Sequence, residues 1–366
     1  MRERLHRARV CLTTVFAAFR AENSTLGSLG RADFVARIVY DFRMKSLDGT
    51  VYVAGHHGMV GSAVCRRLEQ ETSVKVITAT RNEVDLCDPN ATNDFFQSRK
   101  PDTVIFAAAK VGGIDANASY PVEFLSDNVM MSVGAIDAAY RAGVKRFLFL
   151  GSTCIYPRDC PQPICETSLL TGPLETTNEA YALAKIAGLK LCQFYRRQHG
   201  VMFHSAMPTN LYGPGDNYHP QHSHVLPALI ARFHDAKLAE APTVTIWGTG
   251  TPRREFLYVD DLADALIHLI KLADPPDWVN VGTGVDLTIL ELAQKIANVI
   301  GYQGEILTDP ERPDGTPVKC SNVGRLKQTG WQHKWDLDLG LRATYDSFQA
   351  SKIAGNLRTS ISSAEN

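Results

Sequence analysis

From residue 50 onward, short apolar runs alternate with longer segments whose apolar positions recur every three or four residues. The runs at 50–54, 74–79, 103–108, 147–150 and 202–207 are short and continuous, as in strands buried on both faces. Between them, 59–68, 122–142 and 181–198 carry the one-sided apolar stripe of packed helices. The alternation predicts successive βα units and hence an α/β fold, a Rossmann-type doubly wound parallel sheet. After Pro208 the rhythm breaks into a stretch at 212–224 rich in Gly, Pro, His and Asn. It is too polar for a strand and too long for a simple turn, so it reads as a functional loop. A helix at 225–237, a strand at 244–247, a helix from Asp260, a short strand near Val279 and a helix from Thr288 predict a smaller mixed α/β C-terminal lobe.

The expected organisation is a poorly ordered extension at 1–49, a nucleotide-binding domain at 50–210, a mainly substrate-binding lobe at 211–350 with segments returning to the first domain, and a tail at 351–366. Sites in such sheets form outside the carboxyl ends of the strands, here between the lobes.

Composition narrows the function classes. The 366 residues are 45% hydrophobic and 21% charged, with 38 basic and 39 acidic side chains. Near-zero net charge excludes a broad electrostatic attraction to nucleic acid or an anionic membrane. No apolar run approaches the roughly 18 residues of a transmembrane helix. The eight cysteines show neither a Cys-x-x-Cys pair nor zinc-type His/Cys spacing, so no metal and a reducing, cytoplasmic setting are expected. The first 45 residues hold nine Arg/Lys against four Asp/Glu. They read either as a targeting segment, although no small-residue cleavage site follows the apolar stretch, or as sequence ahead of a true start at Met44.

Gly55, Gly58 and Gly61 close the first strand in a G-x-x-G-x-x-G run and open a helix at Met59 and Val60. Glycines permit the tight turn and close backbone approach, and a helix N-terminus favours a pyrophosphate. The second strand is followed by Arg81 rather than by the acidic residue that holds an NAD ribose, which favours the 2′-phosphate of NADP. Asp85 and Asp88 either approach the adenine or cap the next helix.

Tyr181 and Lys185 lie four apart in a helical segment and so share a face. A nearby ammonium stabilises tyrosinate, which is expected to lower the phenol enough for proton exchange with a carbonyl oxygen. The spacing alone is common, but Ser152 directly after the strand at 147–150 would stand beside that helix at the sheet's carboxyl edge.

The glycine run, Ser152 and the Tyr181/Lys185 pair, in this order, resemble the short-chain dehydrogenase/reductase superfamily. The segment 254–261 and Asn210 to Pro214 resemble its extended, sugar-nucleotide-modifying branch. Within that branch the runs at 55–61, 108–114, 151–157, 178–185, 210–214 and 313–317 resemble the GDP-L-fucose synthase family.

That resemblance implies an NADPH-dependent epimerase and reductase acting on GDP-4-keto-6-deoxy-D-mannose, assembled as a homodimer. It implies Cys154 as the epimerisation base and His224 as the partner acid, with Ser152, Tyr181 and Lys185 serving the reduction. Cys154 would then face the substrate rather than the core. It also implies Asn210 and Leu211 near nicotinamide, Arg232, Arg254 and Lys319 near the GDP pyrophosphate, and Trp247 near the nucleotide. The departure is His57, where bacterial members often place an arginine; NADP preference would then rest mainly on Arg81.

Overall fold

The computed structural model describes residues 44–312 and 314–359. The targeting and start-site readings of the first 43 residues, Pro313 of the 313–317 run and the last seven residues of the expected tail lie outside them.

Strand β1 (Gly49–Ala54) turns into helix α1 (Met59–Leu68), which leads to β2 (Val74–Ile77). Helix α2 (Pro89–Arg99) follows; it is too polar to show an apolar stripe, yet Asp88 caps it by accepting from the amides of Asn90 at 2.8 Å and Ala91 at 3.2 Å. Next come β3 (Thr103–Phe106), the short α3 (Ile114–Ser119), α4 (Pro121–Arg141) and β4 (Arg146–Leu150). A single 3-10 turn (Thr153–Ile155) leads toward α5 (Glu179–His199) and β5 (Met202–Pro208).

The second half contains β6 (Asn210–Tyr212), α6 (Val225–Leu238), β7 (Thr243–Trp247), β8 (Arg253–Tyr258) and α7 (Val259–Lys271). It continues with β9 (Trp278–Val281), β10 (Asp286–Thr288) and α8 (Ile289–Ile300), whose start is fixed by a reciprocal cap between Thr288 and Glu291. Strand β11 (Glu305–Asp309), the two-residue β12 (Val318–Lys319), α9 (Gly324–Gln328) and α10 (Leu337–Ile353) complete the described chain.

The main sheet has six parallel strands in the order β2-β1-β3-β4-β5-β9. The chain runs from β1 outward to β2 and then crosses back to β3, so the crevice of the doubly wound sheet opens between β1 and β3. Phe106, Phe147, Phe149 and Phe203 stack on one face of the sheet with Ala135, Ile136 and Ala139 of α4. Helix α5 reaches its place because position 188 is glycine: a Cβ there would lie 2.4 Å from the Phe149 ring. That close approach brings the preceding turns of α5 against the carboxyl end of β4.

The smaller lobe is organised around β8, which pairs with β6, β10 and β12, while β7 pairs with β11 alone. The fully buried Glu255 of β8 accepts from the amides of Gly284 at 2.7 Å and Ser321 at 2.8 Å, which ties the segments flanking β10 and β12 to the central strand. Tyr212, Phe233, Ile246, Leu292 and Ile296 form the core of this lobe with Leu341, Tyr345 and Phe348 of α10. The seven cysteines among the described residues are free, and no helix there is long and apolar enough to cross a membrane.

His204 in β5 is fully buried, and neither ring nitrogen meets a protein partner. Burial, reinforced by the charges of Arg196 and Arg146, pushes its imidazole down to about 3. The unfolded chain takes up this proton near its ordinary value of about 6.5, so the native state is favoured above that pH and loses stability as pH falls toward 3. We expect a loss on the order of 2 kcal/mol from this group between about pH 7.5 and about pH 5. Denaturant unfolding at the two pH values should show that loss in the wild type and its absence in His204→Leu.

Candidate active site

The glycine loop is built for close approach. Gly55 has φ +79°, and a Cβ at Gly61 would lie 2.1 Å from the Gly55 carbonyl oxygen. The Gly58 amide donates to that same oxygen at 3.0 Å, closing the turn. No side chain caps α1 at Gly58, so the first-turn amides of Met59 and Val60 remain available to an anion. Arg81, in the turn after β2, is exposed and lies 3.5 Å from Asp85. The His56 and His57 rings lie tilted on the same loop with centroids 3.9 Å apart; burial and the His57 charge lower the His56 imidazole, against the opposing charge of Glu83. The donors and cations of this crevice suit a dinucleotide with an added phosphate.

At the end of β4, Ser152 enters extended backbone and its hydroxyl accepts from the Cys154 amide at 3.3 Å, opening the 3-10 turn. Lys185 is buried and donates to the Leu150 carbonyl at 2.8 Å; its ammonium lies 4.9 Å above the Phe149 ring and 5.5 Å from that of Tyr181. Burial lowers it to about 8, opposed by the Cys154 charge. Tyr181 is pushed well above the ordinary phenol range, first by burial and then by Cys154. The expectation that Lys185 lowers the phenol is therefore not met: desolvation dominates, and the ammonium is spent on a backbone carbonyl. A phenol that stays protonated is suited to giving a proton rather than taking one.

Cys154 is 7% exposed, more deeply set than a residue simply facing substrate. Burial raises its thiol, while the charges of Lys319 and Lys185 and a hydrogen bond with Ser152 pull it back.

The polar loop beyond β6 delivers the histidines. Asn128 of α4 holds the loop after β3 by accepting from the Lys110 amide at 2.9 Å and donating to the Lys110 carbonyl at 3.0 Å. Gly113 of that loop donates to the His222 carbonyl at 2.8 Å, and a Cβ at 113 would lie 2.9 Å from the Ser223 carbonyl oxygen. The His219 ring accepts from the amides of Gln221 and His222, each at 3.1 Å, and stacks on His222 at 4.5 Å. These two histidines build the turn. His224 stands at the N-cap of α6, and its side chain makes no capping bond there. It is exposed, yet desolvation by the surrounding protein lowers its imidazole.

A second group of residues gathers on the smaller lobe. Arg232 of α6 donates to the Thr245 carbonyl at 2.8 Å, and Trp247 at the end of β7 is 55% exposed with the Arg312 guanidinium 5.1 Å over its ring. Arg254 and Lys319 are register partners on β8 and β12. Arg254 donates to the Arg253 carbonyl at 2.8 Å, and Thr249 binds Asp314 through its amide at 3.0 Å and its hydroxyl at 2.7 Å. Asn210 donates its amide to the Glu255 carbonyl at 2.8 Å, and Leu211 sits half-buried beside it on β6.

The sequence pattern did not point to Asn128 or Arg312, and Asp314 entered only as part of the 313–317 run. Asn128 lies within an amphipathic helix where a buried polar position was the available signal; Arg312 lies in an irregular loop without one.

The chain matches the family model for the NAD dependent epimerase/dehydratase family over residues 51–282. It is 53% identical over 308 residues to the GDP-L-fucose synthase of Escherichia coli (strain K12), covering 81% of this chain and 96% of that one. It is 50% identical over 303 residues to GDP-L-fucose synthase 1 of Arabidopsis thaliana, covering 83% and 94%. The solved structure of a GDP-L-fucose synthetase from Naegleria fowleri bound to NADP superposes with a TM-score of 0.78 at 27% identity, covering 86% and 98%. With a crevice built for a dinucleotide and Ser152, Tyr181 and Lys185 gathered at the end of β4, the chain belongs to the NAD dependent epimerase/dehydratase family.

Proposed function

We propose that this chain converts GDP-4-keto-6-deoxy-D-mannose to GDP-L-fucose, by epimerisation at C3 and C5 followed by NADPH-dependent reduction at C4. The observation that carries this reading is the meeting of the Cys154 turn with the Tyr181 and Lys185 pair at one end of β4, where the Cys154 amide donates to Ser152 and Lys185 donates to the Leu150 carbonyl. A simple reductase needs only the second pair. The names of the relatives support the substrate.

The Gly55 to Gly61 loop, with the amides of Met59 and Val60, would hold the cofactor's pyrophosphate, Arg81 its 2′-phosphate, and Asn210 and Leu211 would border its nicotinamide. When bound, NADPH supplies the reducing equivalent for C4. The C4 ketone acidifies the hydrogens on both neighbouring carbons. The Cys154 thiolate takes the proton from C3 or C5, the C–H electron pair passes into the enolate, and His224 returns a proton on the opposite face. The Ser152 and Tyr181 hydroxyls steady the C4 oxygen as its charge grows. In the reduction Tyr181 gives its proton to that oxygen, and Lys185 offsets the charge left behind.

Arg232, Arg254 and Lys319 present cations where a pyrophosphate would lie, with Trp247 as a stacking surface for the base. On this reading the smaller lobe is the sugar-nucleotide lobe and the six-stranded sheet carries the cofactor.

Purified protein should oxidise NADPH, in preference to NADH, when given GDP-4-keto-6-deoxy-D-mannose and should release GDP-L-fucose; absence of oxidation with that substrate rejects the reading. Cys154→Ser should slow the exchange of the C3 and C5 hydrogens with heavy water by about 100-fold or more, with NADPH affinity retained. Exchange persisting at the wild-type rate removes Cys154 as the base.

Helices α4 and α5 pack together and expose apolar stripes, Val122, Leu125, Met130 and Val133 on one and Leu183 and Phe194 on the other. These stripes support a homodimer closed by two helices from each copy. Sedimentation at micromolar concentration should show a dimer that Leu183→Glu dissociates; a monomeric wild type counts against it. The free cysteines support a reducing compartment such as the cytosol.

A further inference from the structure

Trp247 and Arg312 meet on the outer side of the smaller lobe. Burial alternates along β7, so that Thr243, Thr245 and Trp247 face outward. Trp247, the last of them, is 55% exposed. The Arg312 guanidinium stands 5.1 Å over its ring, inside the roughly 6 Å within which an indole face attracts a cation. A flat ring that keeps so much exposure beneath a cation has one face covered and the other open to solvent.

Backbone hydrogen bonds fix the spacing of the two residues. Strands β7 and β11 run in parallel register as far as Trp247 and Asp309. The Asp309 carbonyl then accepts from the Gly248 amide at 3.0 Å and from the Arg312 amide at 3.1 Å. One oxygen thus anchors both the residue after the indole and the arginine above it. The Asp309 carboxylate turns the chain between them by accepting from the Glu311 amide at 3.2 Å. It lies 3.9 Å from the Arg312 guanidinium, too far for a hydrogen bond, so the cation is not spent there. Beyond the arginine, Asp314 comes back to the same place and accepts from the Thr249 amide at 3.0 Å and hydroxyl at 2.7 Å. Gly248 admits it, since a Cβ at that position would lie 2.1 Å from the Asp314 carboxylate. The 309–314 segment is therefore clamped to 247–249 at both ends, with Arg312 between the clamps.

We propose that Arg312 is a positioning residue for the nucleobase of the sugar nucleotide: it closes one face of Trp247 and leaves the other as a single stacking slot for a purine. The proposal rests on the reading of the smaller lobe as the sugar-nucleotide lobe. Arg232 donates to the Thr245 carbonyl two residues earlier in β7, so one strand holds both a ring for a base and a cation for phosphates. A base entering the open face takes water off the indole, and a cation is held more strongly over a desolvated ring than over a wet one. Guanidinium, indole and base then form three layers in which each outer layer favours the other. A purine covers more of the indole than a pyrimidine does, so the slot favours GDP over UDP.

The full chain titrated with GDP, read as the Trp247 fluorescence obtained by difference from Trp247→Leu, tests this without turnover. GDP should quench the wild-type signal more tightly than UDP. Arg312→Ala should weaken GDP binding about three- to fivefold and open Trp247 of the free protein to quenching by acrylamide, whereas Arg312→Lys, which keeps a cation, should stay within about twofold of the wild type. Inorganic pyrophosphate, which has no base, should bind the wild type and Arg312→Ala alike. In Trp247→Leu, with GDP binding followed by calorimetry, the same alanine should cost nothing further. Equal losses for GDP and pyrophosphate, or a loss that persists in Trp247→Leu, overturn the proposal and make Arg312 a phosphate contact. Unchanged GDP affinity in Arg312→Ala overturns it outright. If the alanine variant does not fold, Arg312→Gln supplies the same comparison. Failure of the lobe reading looks different: the wild type itself then binds no GDP, and the proposal falls with it.

Discussion

Everything at the end of β4 depends on taking ionisable groups out of water. Lys185, Tyr181 and Cys154 lie where α5 presses onto the sheet, and in each burial outweighs the neighbouring charges. Gly188 makes the approach possible by admitting the Phe149 ring under the helix. A looser contact would hydrate the three groups and return them toward ordinary values. The phenol would still hold its proton at neutral pH, but the lysine would lose its sensitivity near pH 8 and the thiol its coupling to the cations around it.

A second constraint works by distance rather than dielectric. Cys154 and Tyr181 lie at one end of the main sheet, while His224, the acid of the proposed mechanism, comes from the polar loop after β6. Asn128, the Lys110 to Gly113 loop and the His222 carbonyl bridge that gap with backbone hydrogen bonds, so the position of His224 is inherited from β3 and α4. The polar stretch after β6 is long because it must complete this turn, and two of its three histidines are structural.

The sequence showed the main sheet clearly because strands buried on both faces are continuous apolar runs, and the glycine loop, Ser152, Tyr181 and Lys185 sit at their ends. Helix α1 is read with its bounds unchanged, 59–68. Helix α2 escaped because its composition is polar and only the Asp88 cap announces it. Strands β6, β10 and β12 have two or three residues each, too few for a period to register, and α10 was hidden within a stretch read as lobe and tail. At the site, residue type and order singled out the candidates, but not their electrostatics: the depth of Cys154 and the upward push on Tyr181 arise from contacts between segments distant in sequence.

The opposite displacements of Cys154 and His224 have a consequence for how the two work as a pair. The thiol is raised and the imidazole lowered, so the abundant form of the free protein near neutrality has a protonated sulfur and an uncharged ring. The proposed mechanism needs the reverse, an anionic sulfur and a cationic ring. Both arrangements carry the same number of protons, so the competent one is a minority tautomer whose share is constant between the two midpoints. On the proposed roles, acidity in this interval leaves the epimerisation rate level, and the rate follows how the surrounding groups bias one proton between the two sites.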